Sequence, residues 1–218
     1  MKRTTYLLIA LLTLTSCEKW LDVMPNTDVP AKELFTTENG FTSALAGLYI
    51  SMTEENTYGK NLSFGLPEQL AQFYDKLPDG TTDRNSVYIY DRETSGAYNT
   101  KGTLANTWQA QYHIIANANN LLKWWDLNGA TVLTDPTMIR GEALAMRAYL
   151  HFDLLRGWGP MHYAASDEAK SVKCMPYRTV ADHSKQPLLA AGEVVSRILS
   201  DLHEARECMS YETELNLS

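Results

Sequence analysis

Three tyrosines, Tyr88, Tyr90 and Tyr98, stand in one short stretch among Asp83, Arg84, Asn85, Asp91 and Asn99. An aromatic ring lies flat on the C–H face of a sugar while amides and carboxylates take its hydroxyls, so these residue types together suit carbohydrate recognition. Tyr88, Tyr90, Tyr98 and Asn99 are the candidate ligand-binding residues. The alternative is that the rings seal an irregular loop onto a packed body, the commoner fate of an aromatic side chain. Catalytic chemistry has no such cluster. His113, His151, His162, His183 and His203 form no H-E-x-x-H pair, and no nucleophile elbow, G-x-G-x-x-G or phosphate loop is present. The acidic stretches E-N-G and D-G-T-T-D lack calcium-loop spacing. Carboxylates are plentiful, but none is singled out as an acid or base. The chain reads as a binder without catalysis, metal or cofactor.

The three cysteines divide into one and two. Lys2 and Arg3, the apolar run Tyr6 to Leu14, and L-T-S-C ending at Cys17 have the order of a targeting leader. The apolar run is too short to span a bilayer, which takes about 20 residues. L-T-S-C resembles a bacterial lipobox, which implies that Cys17 carries acyl chains and becomes the N-terminus; two or three chains hold a protein on a membrane at about 0.8 kcal/mol per buried CH₂. Cys174 and Cys208 show neither metal spacing nor C-x-x-C. A bridge between them is chemically allowed outside the cytoplasm, and two packed thiols are the other possibility.

Bulk properties exclude two partner classes. The chain of 218 residues has a formal net charge of −7, and losing Lys2 and Arg3 with a leader makes it more negative. Nucleic acid and anionic membrane surfaces call for basic patches, which this balance does not supply. Hydrophobic content of 44% and charged content of 21% are those of a globular domain.

The elements that position these residues are helices. Ile139 to Pro160 reads as one long helix, with Asp135 as cap, Pro136 in the first turn, and Gly157, Gly159 and Pro160 as the stop. At 100° steps it carries two apolar stripes. Ile139, Ala143, Met146, Leu150 and Leu154 make one. Gly141, Ala145, Ala148, Phe152 and Leu155 make the other, whose small residues let another helix approach. Two polar lines separate them: Arg140, Arg147 and His151, and Glu142, Tyr149, Asp153 and Arg156. Two stripes suit the middle helix of a stacked array. A helix over 103–126 precedes it, with Leu104, Trp108, Tyr112, Ile115, Asn119 and Leu122 on one face, and the two form an antiparallel hairpin like the unit of a tetratricopeptide repeat. Of Asn117, Asn119 and Asn120, a buried one is expected to bond a neighbouring loop backbone. An earlier helix spans 38–52 with Phe41, Ala44, Leu45, Leu48 and Met52 inward. A short one runs from Pro67 to Tyr74 with Leu66, Leu70 and Phe73 inward. A strand is possible at Val87 to Tyr90, and a last helix runs from Pro187 to Met209.

The stretch R-G-E-A-L-A-x-R-A-Y-x-H-F-D-L-x-R-x-W-G, from Arg140, is similar to the signature helix of the SusD-like (RagB/SusD) proteins. W-L-D-x-x-P from Trp20, F-x-x-A-L-x-G-L-Y from Phe41, W-x-x-x-Y-x-x-I-x-x-A-N from Trp108 and S-x-I-L-x-D-L-x-x-A from Ser196 resemble further family segments in order, and MPYRTVADHSKQP resembles the family's extended link into its next repeat. The resemblance implies a mostly all-α fold, a tetratricopeptide-like helical repeat array with irregular loops and an extended N-terminal tether. It divides the chain into a leader at 1–16, a lipidated tether at 17–37 and a helical-repeat domain at 38–218. It implies a surface-exposed lipoprotein of the outer membrane that captures glycan for a SusC-like TonB-dependent transporter. The competing readings are a scaffold that docks proteins and binds no sugar, and a lipid-anchored glycosidase. Family members are about twice as long, with a second, ligand-rich region. A fragment with weak or absent glycan binding and an apolar strip along the last helix (Val195, Ile198, Leu202) is therefore expected.

Overall fold

The computed structural model describes residues 30–75, 86–91, 100–163 and 166–209. Cys17, Tyr98 and Asn99 lie outside them, as do Trp20 to Pro25. The chain divides into two compact units, Met1–Leu34 and Phe35–Ser218. In the first, α1 (Ala31–Leu34) is a single turn, closed by Glu33 and Leu34 N–H groups on the Pro30 carbonyl. The expectation of extended chain over 17–37 fails for these residues, because Ala, Lys, Glu and Leu are strong helix formers and Pro30 presets the entry.

The second unit opens with α2 (Glu38–Met52). Thr37 caps it by accepting from Gly40 N–H, and Phe41, Leu45 and Leu48 are buried. A wide turn over Asn61–Gly65 leads into α3 (Leu66–Leu70). The body is then α4 (Thr100–Trp124), a second wide turn over Trp125–Gly129, α5 (Ala130–Val132) and α6 (Pro136–Trp158). After the short α7 (Asp167–Ser171), strand β1 (Lys173–Met175) pairs antiparallel with β2 (Leu189–Ala190), and α8 (Ala191–Met209) closes the described chain.

The hairpin is as its sequence indicates. Asp135 accepts from the Thr137 and Met138 amides, and Pro136 takes the first turn of α6. Gly159 ends it, with an N–H bond to Leu155 O; a Cβ there would lie 2.3 Å from that carbonyl oxygen, so the stop requires glycine. Trp125 Nε1 bonds Pro136 O where the helices meet, and the Trp108 and Trp158 rings touch at 5.2 Å at the far end, which fixes α4 and α6 as antiparallel. Trp158 thus closes the end of the hairpin. Helix α8 runs back along the opposite flank of α6: Arg140 reaches Glu204 and Arg147 reaches Asp201. Gly141 lies in this seam; a Cβ on it would meet Met209 Cγ at 2.5 Å and the Ala205 carbonyl at 3.1 Å. The small-residue stripe therefore faces α8. Ile114, Ile115, Ala118, Leu121, Ala143, Leu144, Leu150 and Leu154 form the core, with Phe41 and Leu48 closing it from α2.

Several sequence expectations change. Val87 to Tyr90 is a turn, not a strand: Tyr90 N–H returns to Val87 O and Asp91 N–H to Ser86 O. Ser86 Oγ accepts from Thr100 N–H at the start of α4, so this stretch is anchored to a helix end and not to a sheet. Helix α3 stops at Leu70 because Gln72 takes the left-handed region at φ 53°, which leaves Leu70 and Phe73 outward. The last helix starts at Ala191, since Leu189 and Ala190 pair with β1 instead. Phe152 is 46% exposed despite its stripe, whereas Arg147, His151 and Asp153 from the polar lines are buried. Of the expected strip on α8, Leu202 is exposed, Val195 half-buried and Ile198 buried, and Leu199 is exposed beside them. Cys174 and Cys208 are both free thiols.

Candidate functional site

Two segments meet to form a surface of rings. One is residues 61–75, and the other is the turn 86–91. Asn61 begins the first; its amide donates to Thr107 Oγ1 on α4 at 3.0 Å in a buried contact. That bond pins the wide turn carrying Phe64. Leu66 then plugs the core, and Pro67 takes the first turn of α3. Beyond Gln72 the chain cannot continue as helix, and Phe73 and Tyr74 swing outward.

The second segment is tied to the first at two points. Gln72 Nε2 donates to the Tyr88 carbonyl at 3.0 Å, and the Tyr90 hydroxyl donates to the Leu70 carbonyl at 2.7 Å. The Tyr74 hydroxyl lies 2.8 Å from both Phe64 O and Glu68 Oε2, one hydrogen between two acceptors. The Glu68 carboxylate raises the Tyr74 phenol above its ordinary value. Each hydroxyl is therefore committed to protein while its ring stays open. Phe64 is 57% exposed, Phe73 80% and Tyr90 60%, with Tyr74 and Ile89 also outward. Tyr88 is half-buried. Three non-glycine residues among those described have positive φ, and two of them, Gln72 and Tyr90, hold this surface. Such backbone costs on the order of 1 kcal/mol per residue and persists where surrounding contacts impose it.

The platform offers exposed apolar ring faces, those of Tyr74 and Tyr90 aimed by their hydroxyl bonds, with Glu68, Gln69, Gln72 and Asp75 in the same segment. Among the described residues it holds no nucleophile–base pair. No group of three or more His, Cys, Asp or Glu able to hold a metal occurs among the described residues, and no described helix is long and apolar enough to cross a membrane. Of the four sequence candidates, Tyr88 and Tyr90 are placed in this surface, while Tyr98 and Asn99 fall outside the described residues. Phe64, Phe73 and Tyr74 were missed. Phe73 fits the inward face of a helix drawn through Tyr74, and only the left-handed Gln72 turns it out. The usable signal was the ring density itself, since Phe64, Phe73, Tyr74, Tyr88 and Tyr90 fall within one short span of sequence.

A second polar centre lies inside the body. Arg147 on α6 donates to both carboxylate oxygens of Asp201 at 2.7 Å and to Asn119 Oδ1 at 2.9 Å. Tyr177 donates to the same carboxylate. Burial works against the Arg147 charge, but the Asp201 hydrogen bond and charge outweigh it and hold the guanidinium protonated. Asn119 turns its amide to the Arg178 carbonyl at 3.0 Å, the loop-backbone role expected of it. His151 bonds the Arg147 carbonyl through Nδ1 at 2.8 Å, and Nε2 accepts from Arg178 N–H at 3.1 Å. Those partners fix the neutral Nδ1–H tautomer. Burial pushes the imidazole down to about 4. Its ring stacks on Tyr177 at 3.8 Å. Every group here is spent on other protein groups, so this centre fixes the fold and offers no ligand atom. A third cluster couples α2 and the turn after it to α6: Tyr49 on α2 donates to Glu142 at 2.6 Å, and Tyr58 in the turn donates to Asp153, which Arg156 also holds. The Glu142 bond is the main reason Tyr49 is pushed up to about 12.

Comparison with known proteins places the chain in a family. SusD-like protein P38 of Formosa agariphila is 26% identical over 206 residues, covering 94% of this chain and 36% of that protein. SusD-like protein P2 of the same organism is 27% identical over 207 residues, covering 92% and 36%. The chain thus spans about a third of the length of the curated relatives it matches. Among solved structures, a SusD superfamily protein from Bacteroides fragilis aligns with a TM-score of 0.62 at 19% identity, over 78% of this chain and 39% of the other. A SusD-like carbohydrate binding protein from Bacteroides vulgatus aligns with a TM-score of 0.61 at 20% identity, over 84% and 37%. These structures share the helical-repeat fold. Residues 19–217 match the model of a SusD-like family described as starch-binding and associating with the outer membrane, and the chain belongs to that family.

Proposed function

We propose that this chain carries one wall of a carbohydrate site in a lipid-anchored protein of the outer-membrane surface, which captures oligosaccharide for a SusC-like TonB-dependent transporter. The observation that carries the reading is the platform: Phe64, Phe73, Tyr74 and Tyr90 present ring faces to solvent, and the Tyr74 and Tyr90 hydroxyls are tied down. Rings held this way pay little ordering entropy when a sugar stacks on them. Tyr88, Tyr98 and Asn99 are proposed ligand residues beside them. The binding is non-catalytic. Cys17 is the proposed anchor, which Cys17→Ala tests: the variant should move from the membrane to the soluble fraction, and retention after a high-salt wash would count against lipidation.

The test of the site is saturation-transfer NMR of the intact chain with maltoheptaose and a panel of other oligosaccharides. Sugar protons should receive saturation from the protein, and Phe73→Ala with Tyr90→Ala should abolish the transfer without lowering the melting temperature by more than a few degrees. Equal transfer in the double variant would remove the platform from the reading. A second reading, protein docking without sugar, is favoured by one other surface. Tyr49, Tyr149 and Phe152 leave a half-exposed aromatic strip beside α2 and α6. Silence across the whole sugar panel would favour it.

A further inference from the structure

The body of the fold balances its charges. Over α6, in the groove between α4 and α8, Arg147 pairs with Asp201, and Arg140 pairs with Asp126 and Glu204. The chain fills that groove itself. Tyr112 on α4 donates to the Pro176 carbonyl, Asn119 donates to the Arg178 carbonyl, and the Tyr177 ring stacks on His151.

The platform is different. Its two segments, 61–75 and 86–91, hold three charged side chains, Glu68, Asp75 and Asp91, and all three are acidic. Glu68 is fixed at the ring surface, since its Oε2 lies 2.8 Å from the Tyr74 hydroxyl. Asp75 follows Tyr74 in the chain and is exposed. The wider sequence keeps the sign: residues 54–101 contain eight acidic and five basic residues. One of those bases, Lys60, is already paired with Glu55.

The hydrogen-bonding groups have the same bias. An ionised carboxylate accepts and cannot donate. The Tyr74 and Tyr90 hydroxyls could donate, but Tyr74 is shared between Phe64 O and Glu68, and Tyr90 is spent on Leu70 O. Gln72 Nε2 gives a hydrogen to the Tyr88 carbonyl. The carboxylates beside the rings therefore suit a ligand that brings hydroxyl or ammonium donors. A carboxylate or sulfate on the ligand would bring them another acceptor and a like charge.

We propose that the platform, taken as the sugar site above, selects glycans without carboxylate or sulfate groups. Its ligand is an uncharged or amino-bearing oligosaccharide, and polyanionic chains are turned away. The rings take the C–H face of the sugar, and Glu68 and Asp75 take hydroxyl or ammonium hydrogens. Like charges brought together at a binding surface suppress the wrong partner, and the described platform residues include no cation to offset them. The charge count is plain in the sequence. Only the fold joins it to the rings, through the Gln72 and Tyr90 bonds between the two segments.

The test uses a glycan microarray and the purified full chain, with pairs that share a backbone and differ in charge. Methyl-esterified and de-esterified oligogalacturonate form one pair, and dextran and dextran sulfate another. Maltoheptaose and a glucosamine oligomer are printed beside them. Uncharged or amino-bearing glycans should bind at least about tenfold more strongly than the anionic ones at low salt. The gap should close at about 1 M salt, where the Debye length is about 3 Å. Glu68→Gln keeps an acceptor for the Tyr74 hydroxyl, and combined with Asp75→Asn it should narrow the gap by about threefold or more. An anionic glycan that binds as well as its uncharged counterpart, through Phe73 and Tyr90, would overturn the specificity and leave the platform a sugar site. A gap that neither salt nor the two carboxylate substitutions change would also overturn it, by tracing the exclusion to shape. Silence on every glycan would remove the platform as a sugar site, and the specificity with it.

Discussion

The groove floor and the ring platform use the same residue types to opposite ends. Tyr112, Tyr177, Asn119 and His151 sit in the groove with ring and polar atom both occupied, and Tyr177, Asn119 and His151 are fully buried. Tyr74, Tyr90 and Gln72 sit on the platform with polar atoms occupied and the rest open. A tyrosine commits about 150–250 Å² of surface, and where that surface goes decides its role. In the groove it holds the 173–178 segment against the helices. On the platform the hydroxyl bond only aims the ring. The groove also has no positive-φ residue, whereas the platform has two. The groove contributes stability, and the platform spends some of it on shape.

The comparison breaks most sharply at Asp201. Asp201→Ala leaves the buried Arg147 guanidinium unpaired and removes the acceptor of Tyr177, so a loss of about 3–5 kcal/mol is expected in denaturant unfolding. Platform variants should show nothing comparable. Asp201→Asn, which keeps an acceptor, should lose less.

Next is acid. His151 is neutral in the fold, with a pKa of about 4 against an ordinary 6.5. The unfolded chain therefore binds more protons between those values, and stability falls as pH drops through that window. Arg147 and Asp201 are the charged groups that bear on the ring, one opposing its protonation and the other favouring it; Arg178 N–H faces Nε2, and Tyr112 and Tyr177 enclose it. From pH 7 to pH 5 the loss from this group is about 2 kcal/mol. His151→Gln keeps an acceptor for Arg178 and cannot titrate, so its unfolding free energy should be flatter over the same interval. Parallel pH curves for the two proteins would refute the assignment.

Smaller again is the helix seam. Gly141→Ala places a methyl where Met209 Cγ and the Ala205 carbonyl stand. Met209 is the last residue of α8 and can shift; the carbonyl cannot. A loss of about 1–2 kcal/mol in thermal unfolding is expected, below the Asp201 effect. An unchanged melting temperature would show that α8 is free to move away from α6.

Much of the groove was legible in sequence because its determinants are local or periodic. Asp135, Pro136, Gly159 and the 3.6-residue stripes bound α6, and the small-residue stripe pointed to a close helix, which is α8. Its polar lines were less legible. Arg147, His151 and Asp153 read as boundaries between apolar stripes, and their partners Asp201, Arg178 and Tyr58 lie 27–95 residues away. Only a third layer over that face buries them. The platform was half legible. Tyr88 and Tyr90 stood out by type, but Phe73 depended on the left-handed backbone of Gln72, which no propensity assigns to glutamine. The expected helix start at Pro187 failed for a similar reason, because pairing of Leu189 with Met175 overrides the helical period before Ala191.

The smallest expected effect sharpens the comparison from the other side. Phe73 is the most exposed of the large apolar side chains described, and its ring contributes little to the core. Substituting it should change unfolding free energy by no more than about 0.5 kcal/mol, as at other surface positions. A residue kept for packing cannot behave this way, since removing a buried phenyl group costs about 3–5 kcal/mol. An exposed ring that stability does not need, on backbone held in a costly conformation one residue earlier, has its use in contact with something else. Phe73→Ala should therefore leave the melting curve in place and weaken oligosaccharide binding about two- to tenfold, the worth of one stacked ring. Phe73→Trp should restore or strengthen it. If Phe73→Ala instead lowers the melting temperature by ten degrees, the ring is part of the core and the platform is a packing surface. If neither stability nor binding moves, Phe73 is not part of the sugar surface, and Phe64, Tyr74 and Tyr90 must carry it alone.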